Sequence, residues 1–245
     1  MKYVLVVGLG EVGSAIYNIV EDRGHFQVQG IDKEPKKVWL PKIDVMHICF
    51  PYSIGFKFII SWYIEKFDPK LTIINSTVLP GTTNQIYEST RKPICHSPIR
   101  GRHIEGLETG IRGYTKFIGA PKYEFAVEAA EHFNSLGIKT IICKSSLETE
   151  FMKILATSYY GLMIAFTQEM RRICEKHQVS ESDIKYFFLS GNVESNFKHL
   201  HPVYYPGVIG GHCILSNLKM LKELYESKFI DFIFESNRKQ KSDLK

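Results

Sequence analysis

The stretch KYVLVVGLGEVG, residues 2–13, constrains the fold more than any other part of the chain. A short apolar run ending at glycine reads as a buried strand, and the pattern G-x-G-x-x-G leads directly into a helical period. Gly8 permits the tight turn, Gly10 lets a ligand approach the backbone, and Gly13 lets the helix lie against the strand. Leu9, Glu11 and Val12 fill the same loop. The helix N-terminus beyond it is a ready site for a pyrophosphate. The next strand, FQVQGID (26–32), ends in Asp32, where a carboxylate would accept hydrogen bonds from an adenosine ribose and repel a 2′-phosphate. The cofactor expected is therefore NAD rather than NADP, a preference tempered by Lys33, Lys36 and Lys37. The plainer alternative is a glycine-rich turn that binds nothing.

Strands and helices alternate through the first half. Further strands are expected at 45–50, 71–76, 93–97, 116–120 and 137–143, and helices at 11–23, 54–67, near 80–81 and at 121–135. That alternation implies crossover units, and so an α/β fold: a doubly wound, mainly parallel Rossmann sheet with helices on both faces. The pattern changes at Leu147. Apolar residues then recur at helical steps to about Gln178, one long helix of roughly 45 Å. A helix at about 180–190, a loop at 191–212 rich in glycine, proline and histidine, and a helix from about Leu215 follow. The charged tail ESNRKQKSDLK is expected to fray. The domains expected are a dinucleotide-binding domain, 1–146, and a small all-helical dimerisation and substrate domain, 147–245.

Composition narrows the function. The net charge of +5 is spread without a basic block in the body of the chain, which suits an anionic small molecule better than nucleic acid. No apolar run reaches the ~20 residues that cross a bilayer, and the glycine-broken N-terminus is a poor signal peptide. The five cysteines, Cys49, Cys95, Cys143, Cys174 and Cys213, contain no C-x-x-C, which points to a reducing, cytoplasmic setting. His199, His201 and His212 lack a ligand spacing, so no metal is expected.

Three more motifs carry chemistry. STVLPGTT (76–83) follows the fourth strand, ETEFMKILA (148–156) opens the long helix, and GGHCI (210–214) ends the glycine-rich loop. Glu150, Lys153 and Thr157 share one helix face. Periodicity alone favours a solvated polar stripe there, with a lysine projected into a cleft as the alternative. Together with GLGEVG, these motifs stand in the order and spacing of the UDP-glucose/GDP-mannose 6-dehydrogenase family, which the chain resembles over nearly its whole length.

The resemblance implies an NAD-dependent oxidation of a primary alcohol on a sugar or sugar nucleotide. Cys213 matches the nucleophile that captures an aldehyde as a thiohemiacetal. Lys153 matches the lysine that stabilises developing oxyanions. Thr77 matches the threonine beside the nicotinamide, with Ser76 and Pro51 at the same strand ends. Gly210, Gly211 and His212 match the substrate loop. His96, Arg100 and Arg102 are candidates for an anionic substrate, an exposed basic loop being the alternative. The family's asparagine after the lysine is Thr157 here, its aspartate after the cysteine is Asn217, and its glutamate after Ser-Pro is Ile99. Losing those carboxylates removes general bases and bears most on hydrolysis of the thioester. The family also carries a further nucleotide-holding domain that these residues do not include, so a separate nucleotide-binding subunit is one expectation. A homodimer through helix 147–178 is another. The rival readings are a degenerate NAD-binding subunit or regulator without turnover, and a two-electron β-hydroxyacid-type dehydrogenase.

Overall fold

The structure is a computed structural model and describes residues 2–32, 37–101, 106–198, 200–210 and 213–243. Its elements begin with β1 (Lys2–Val7), α1 (Glu11–Glu21), β2 (Phe26–Ile31), β3 (Val45–Ile48), α2 (Phe56–Phe67), β4 (Leu71–Ile74), α3 (Thr82–Thr90) and β5 (Ile94–His96). The five strands form one parallel sheet in the order β2-β1-β3-β4-β5. Strand β1 shows why the chain chooses this fold. Val4 and Val6 join one core with Ile16 and Ile19 of α1, whereas Leu5 and Val7 join another with Ile60 and Ile64 of α2. A strand buried on both faces needs helices on both, as expected for parallel crossovers. The doubly wound parallel sheet read from the sequence is thus borne out.

Beyond β5 come α4 (Leu107–Gly113), β6 (Lys116–Ile118), α5 (Tyr123–Ser135) and β7 (Thr140–Ile142). Helix α4 was not expected. Strands β6 and β7 form their own parallel pair, and an isolated antiparallel bridge between His96 and Gly119 ties that pair to the main sheet. Strands β3 to β7 are each shorter than expected, and for two of them the local reason is plain. Strand β3 stops at Ile48 because Phe50 leads into Pro51, and its carbonyl accepts from the Ser76 hydroxyl at 2.6 Å. Strand β7 starts late because Gly137, at φ +76°, turns the chain out of α5.

Packing divides the chain into two compact units, residues 1–153 and 154–245, and each is described by itself. Helix α6 (Ser146–His177) passes through the division. The second unit is helical, with the rest of α6, α7 (Glu181–Glu194), α8 (Ile214–Leu224) and α9 (Lys228–Asp243). Ser180 caps α7, its hydroxyl accepting from the Asp183 amide at 3.2 Å. Gly161 lets α8 come close: a Cβ there would lie 2.8 Å from Ile214 Cγ2. One expectation needs correction. Residues 235–243 of the polar tail are not frayed but form the second half of α9, and Ser236, Asn237 and Gln240 are buried. Their partners are polar too. Ser236 donates to Ala165 O and Gln168 Oε1, and the Arg172 guanidinium donates to Ser236 Oγ, so helix packing here proceeds through hydrogen bonds that a hydropathy pattern does not register. Among the described residues no helix is long and apolar enough to cross a membrane.

Candidate active site

The glycine turn after β1 is built as its sequence requires. Gly8 has φ +91°, and a Cβ on it would lie 2.9 Å from Phe50 N. A Cβ on Gly13 would lie 1.7 Å from Gly8 O, so only glycine lets α1 start this close to the strand. Gly10 is exposed, with nothing within 4 Å of an added Cβ, which leaves its backbone open to an approaching group. Leu9 and Glu11 are exposed beside it, and Val12 is half-buried. Asp32 is exposed just past the end of β2. Tyr63 from α2 lies near it: burial raises the Tyr63 pKa, and the Asp32 carboxylate raises it further. An open turn at a helix N-terminus with a carboxylate at the next strand end fits a dinucleotide's pyrophosphate and ribose.

Farther along the sheet, the STVLPGTT segment is fastened to the start of α6. Glu150 is fully buried and accepts from the Gly81 amide (2.6 Å), the Thr83 amide (2.9 Å) and the Thr83 hydroxyl (2.6 Å). Its carboxylate thereby caps α3. The expected solvated stripe is therefore wrong for Glu150, although burial still holds its pKa up. One turn on, half-buried Lys153 donates to Ile99 O at 2.8 Å. Thr77 is half-buried just past β4, Ser76 is buried with its hydroxyl on Phe50 O, and Pro51 is exposed.

His96 is a second correction. It has no exposed surface, and its ring nitrogens lie 2.9 Å from Thr149 Oγ1 and 3.1 Å from Ser76 O. Burial lowers its pKa to about 3, so it is neutral and enclosed, a tie between β5 and α6 rather than a cationic contact for a substrate. Arg100 is exposed, with its guanidinium 5.3 Å from the Tyr114 ring and 5.4 Å from the Phe117 ring. Lys33, Arg102, Gly211 and His212, also expected at the site, lie outside the described residues, as do His103 and His199.

In the second unit, Cys213 is the N-cap residue of α8 and the one exposed cysteine of the five. Cys49 and Cys95 are buried, and burial pushes the Cys49 thiol up to about 12 and the Cys95 thiol higher still, which leaves both inert at neutral pH. The loop before Cys213 is held from two sides. Gln168 of α6 donates to Gly207 O at 2.7 Å, and Asn237 of α9 pairs with both the amide (2.7 Å) and the carbonyl (3.0 Å) of Ile209. Gly210 is exposed just beyond this hold. Asn217, one turn into α8, donates to the Thr157 hydroxyl at 2.8 Å. Sequence reasoning did not find the roles of Gln168, Asn237 and Glu150. The donors and acceptors they serve are backbone groups 28 to 69 residues away, with no local signal. Among the described residues no group of three or more His, Cys, Asp or Glu stands ready for a metal.

The turn, the sheet order and the acidic strand end define a Rossmann-type protein. Residues 147–239, which include Lys153 and Cys213, match the central domain of the UDP-glucose/GDP-mannose dehydrogenase family. A UDP-N-acetyl-D-mannosamine dehydrogenase of Methanococcus maripaludis is 31% identical over 176 residues, covering 69% of this chain and 39% of that protein. A namesake from Methanococcus vannielii is 25% identical over 291 residues, covering 98% of this chain and 66% of its own. The chain thus spans about two fifths of the first relative and just under two thirds of the second. The structure of a UDP-D-ManNAc dehydrogenase from Pyrococcus horikoshii superimposes with a TM-score of 0.79 at 16% identity, over 97% of this chain and 68% of that one, and shares its fold. The family resemblance drawn from the four motifs is borne out.

Proposed function

We propose that this chain is an NAD-dependent dehydrogenase of the nucleotide-sugar type, oxidising a primary alcohol of a sugar or sugar nucleotide through Cys213. One observation carries the reading: the single exposed cysteine stands at the head of a helix, behind a braced glycine loop, inside the segment that matches the family's central domain. Bound NAD would accept one hydride in each oxidation. The chain's own residues would do the rest. Gly8, Gly10 and Gly13 open the backbone to the pyrophosphate, and Asp32 holds the adenosine ribose. The first oxidation takes a hydride from the alcohol carbon and releases the hydroxyl proton, leaving an aldehyde. The Cys213 sulfur adds to the aldehyde carbon, and its proton ends on the oxygen, giving a thiohemiacetal. Lys153 offsets charge on that oxygen, and Thr77 positions the reacting end. A second hydride loss, with release of the oxygen's proton, yields a thioester. Water then adds, the carbon–sulfur bond breaks, and the acid and the free thiol result. The test is NADH formation across a panel of sugars and nucleotide sugars, with Cys213→Ser beside the wild type. Acid formation is expected to be lost in Cys213→Ser, and equal acid formation by that variant would overturn the mechanism.

A second reading is favoured by Asn217. Its amide, bound to Thr157, stands where the family has a carboxylate, and an amide does not take a proton from water. In this reading hydrolysis is slow, and the product is the aldehyde or a lasting thioester on Cys213. The chain is also proposed to pair with a second copy through α6, where Leu155, Tyr159, Phe166 and Ile173 are exposed at helical spacing.

A further inference from the structure

Three consecutive carbonyls just past β5 are each held by a lysine. Lys116 of β6, only 2% exposed, donates to Ser97 O at 2.7 Å and Pro98 O at 3.2 Å, and reaches Asn75 Oδ1 at 3.5 Å. Lys153 donates to the next carbonyl, Ile99 O, at 2.8 Å. The Phe133 ring lies 4.9 Å from Lys116 Nζ, and among the described residues no carboxylate pairs with it. A buried, unpaired ammonium is costly, and an apolar residue of the same size would fill the space more cheaply. The three acceptors match the three donors of an ammonium and exceed the two of a neutral amine.

We propose that Lys116 is a positioning residue: by holding the Ser97 and Pro98 carbonyls from beneath, it fixes the turn whose next carbonyl anchors Lys153. The proposal rests on the assignment of Lys153 to the reaction. The surroundings make this hold sensitive to pH. Burial, with the nearby Lys153 ammonium acting in the same direction, lowers the Lys116 pKa to about 7. The titratable groups facing Lys116 are His47 from β3 and Cys49 just after it, Cys95 and His96 from β5, and Lys153 from α6. Helix α5 adds the uncharged Phe133 ring, and its Glu128 acts on Cys95. Burial keeps both thiols and both imidazoles neutral at neutral pH, so of the fully buried groups in this cluster Lys116 is the one that titrates there. Losing its proton removes a donor from the turn and a positive charge from beside Lys153.

Trace acetylation of the full chain across neutral pH, read by peptide mass spectrometry, tests this without any turnover. The acylation rate of Lys153 is expected to show a several-fold step near pH 7, and the step is expected to vanish in Lys116→Met. Exposed Lys66 serves as the reference in both proteins. A Lys153 profile that is identical in wild type and Lys116→Met overturns the proposal. If that variant does not fold, the wild-type profile decides alone, and a smooth rise without a step near pH 7 overturns it. Because NADH is not the readout, absence of dehydrogenase activity would count against the proposed function and leave this result readable.

Discussion

His47, His96 and His132 each lie buried within the sheet unit, and each must stay neutral for the fold to hold. The proton positions in one chain of contacts follow from geometry. Lys116 approaches Asn75 Oδ1, so the Asn75 amide nitrogen is the end that faces His47 Nδ1 at 3.0 Å. An amide nitrogen only donates, so His47 carries its proton on Nε2 and donates to His132 Nε2 at 2.9 Å. The His132 proton then sits on Nδ1, which has no partner among the described residues. Burial lowers the His96 and His132 pKa values to about 3 and His47 well below its ordinary value. In the unfolded chain the same rings take up a proton near pH ~6.5. The sign follows: stability is full above ~6.5 and falls as the pH drops toward 3, because the unfolded state binds protons the folded state refuses. His96 and His132 each cost about 1.4 kcal/mol per pH unit in that window, and His47 adds a cost of the same sign. A domain of ordinary stability, about 5–15 kcal/mol, should therefore unfold between about pH 5.5 and 3. Circular dichroism through an acid titration checks this, and a fold intact at pH ~2.5 would contradict it. Glu150, with its raised pKa, opposes the trend only weakly, as a single group.

At the scale of elements, α9 is the part whose role differs most from expectation. Through Asn237 it holds both polar groups of Ile209, four residues before the proposed nucleophile. Asn237→Leu leaves that buried amide and carbonyl without partners, at a cost of about 2–4 kcal/mol. A lower melting temperature and faster alkylation of Cys213 are expected, and an unchanged alkylation rate would mean the hold does not reach the cysteine. The contrast with β1 and α1 shows what a sequence displays. Strand period, glycine spacing and the acidic strand end all act within 31 residues, and each has one local physical cause. Asn237, Gln168 and Glu150 act through hydrogen bonds to backbone groups far along the chain, so their residue types carry no periodic trace. His96 misled for a related reason: a histidine beside arginines reads as part of a basic loop, yet its position on β5 puts the ring inside the protein.

For the whole molecule, the apolar side chains along α6 argue that a second copy covers them. Light scattering is expected to give twice the mass of the chain at micromolar concentration, and the mass of one chain would contradict the proposed pairing. The chemistry is to be read on the same full chain. The most direct measurement is peptide mass spectrometry of the protein quenched while incubated with NAD and a reacting nucleotide sugar. The account predicts a substrate-derived acyl group on Cys213, absent without NAD and absent in Cys213→Ser. NADH formation and acid product with no modification at Cys213, and with Cys213→Ser equally active, would contradict it.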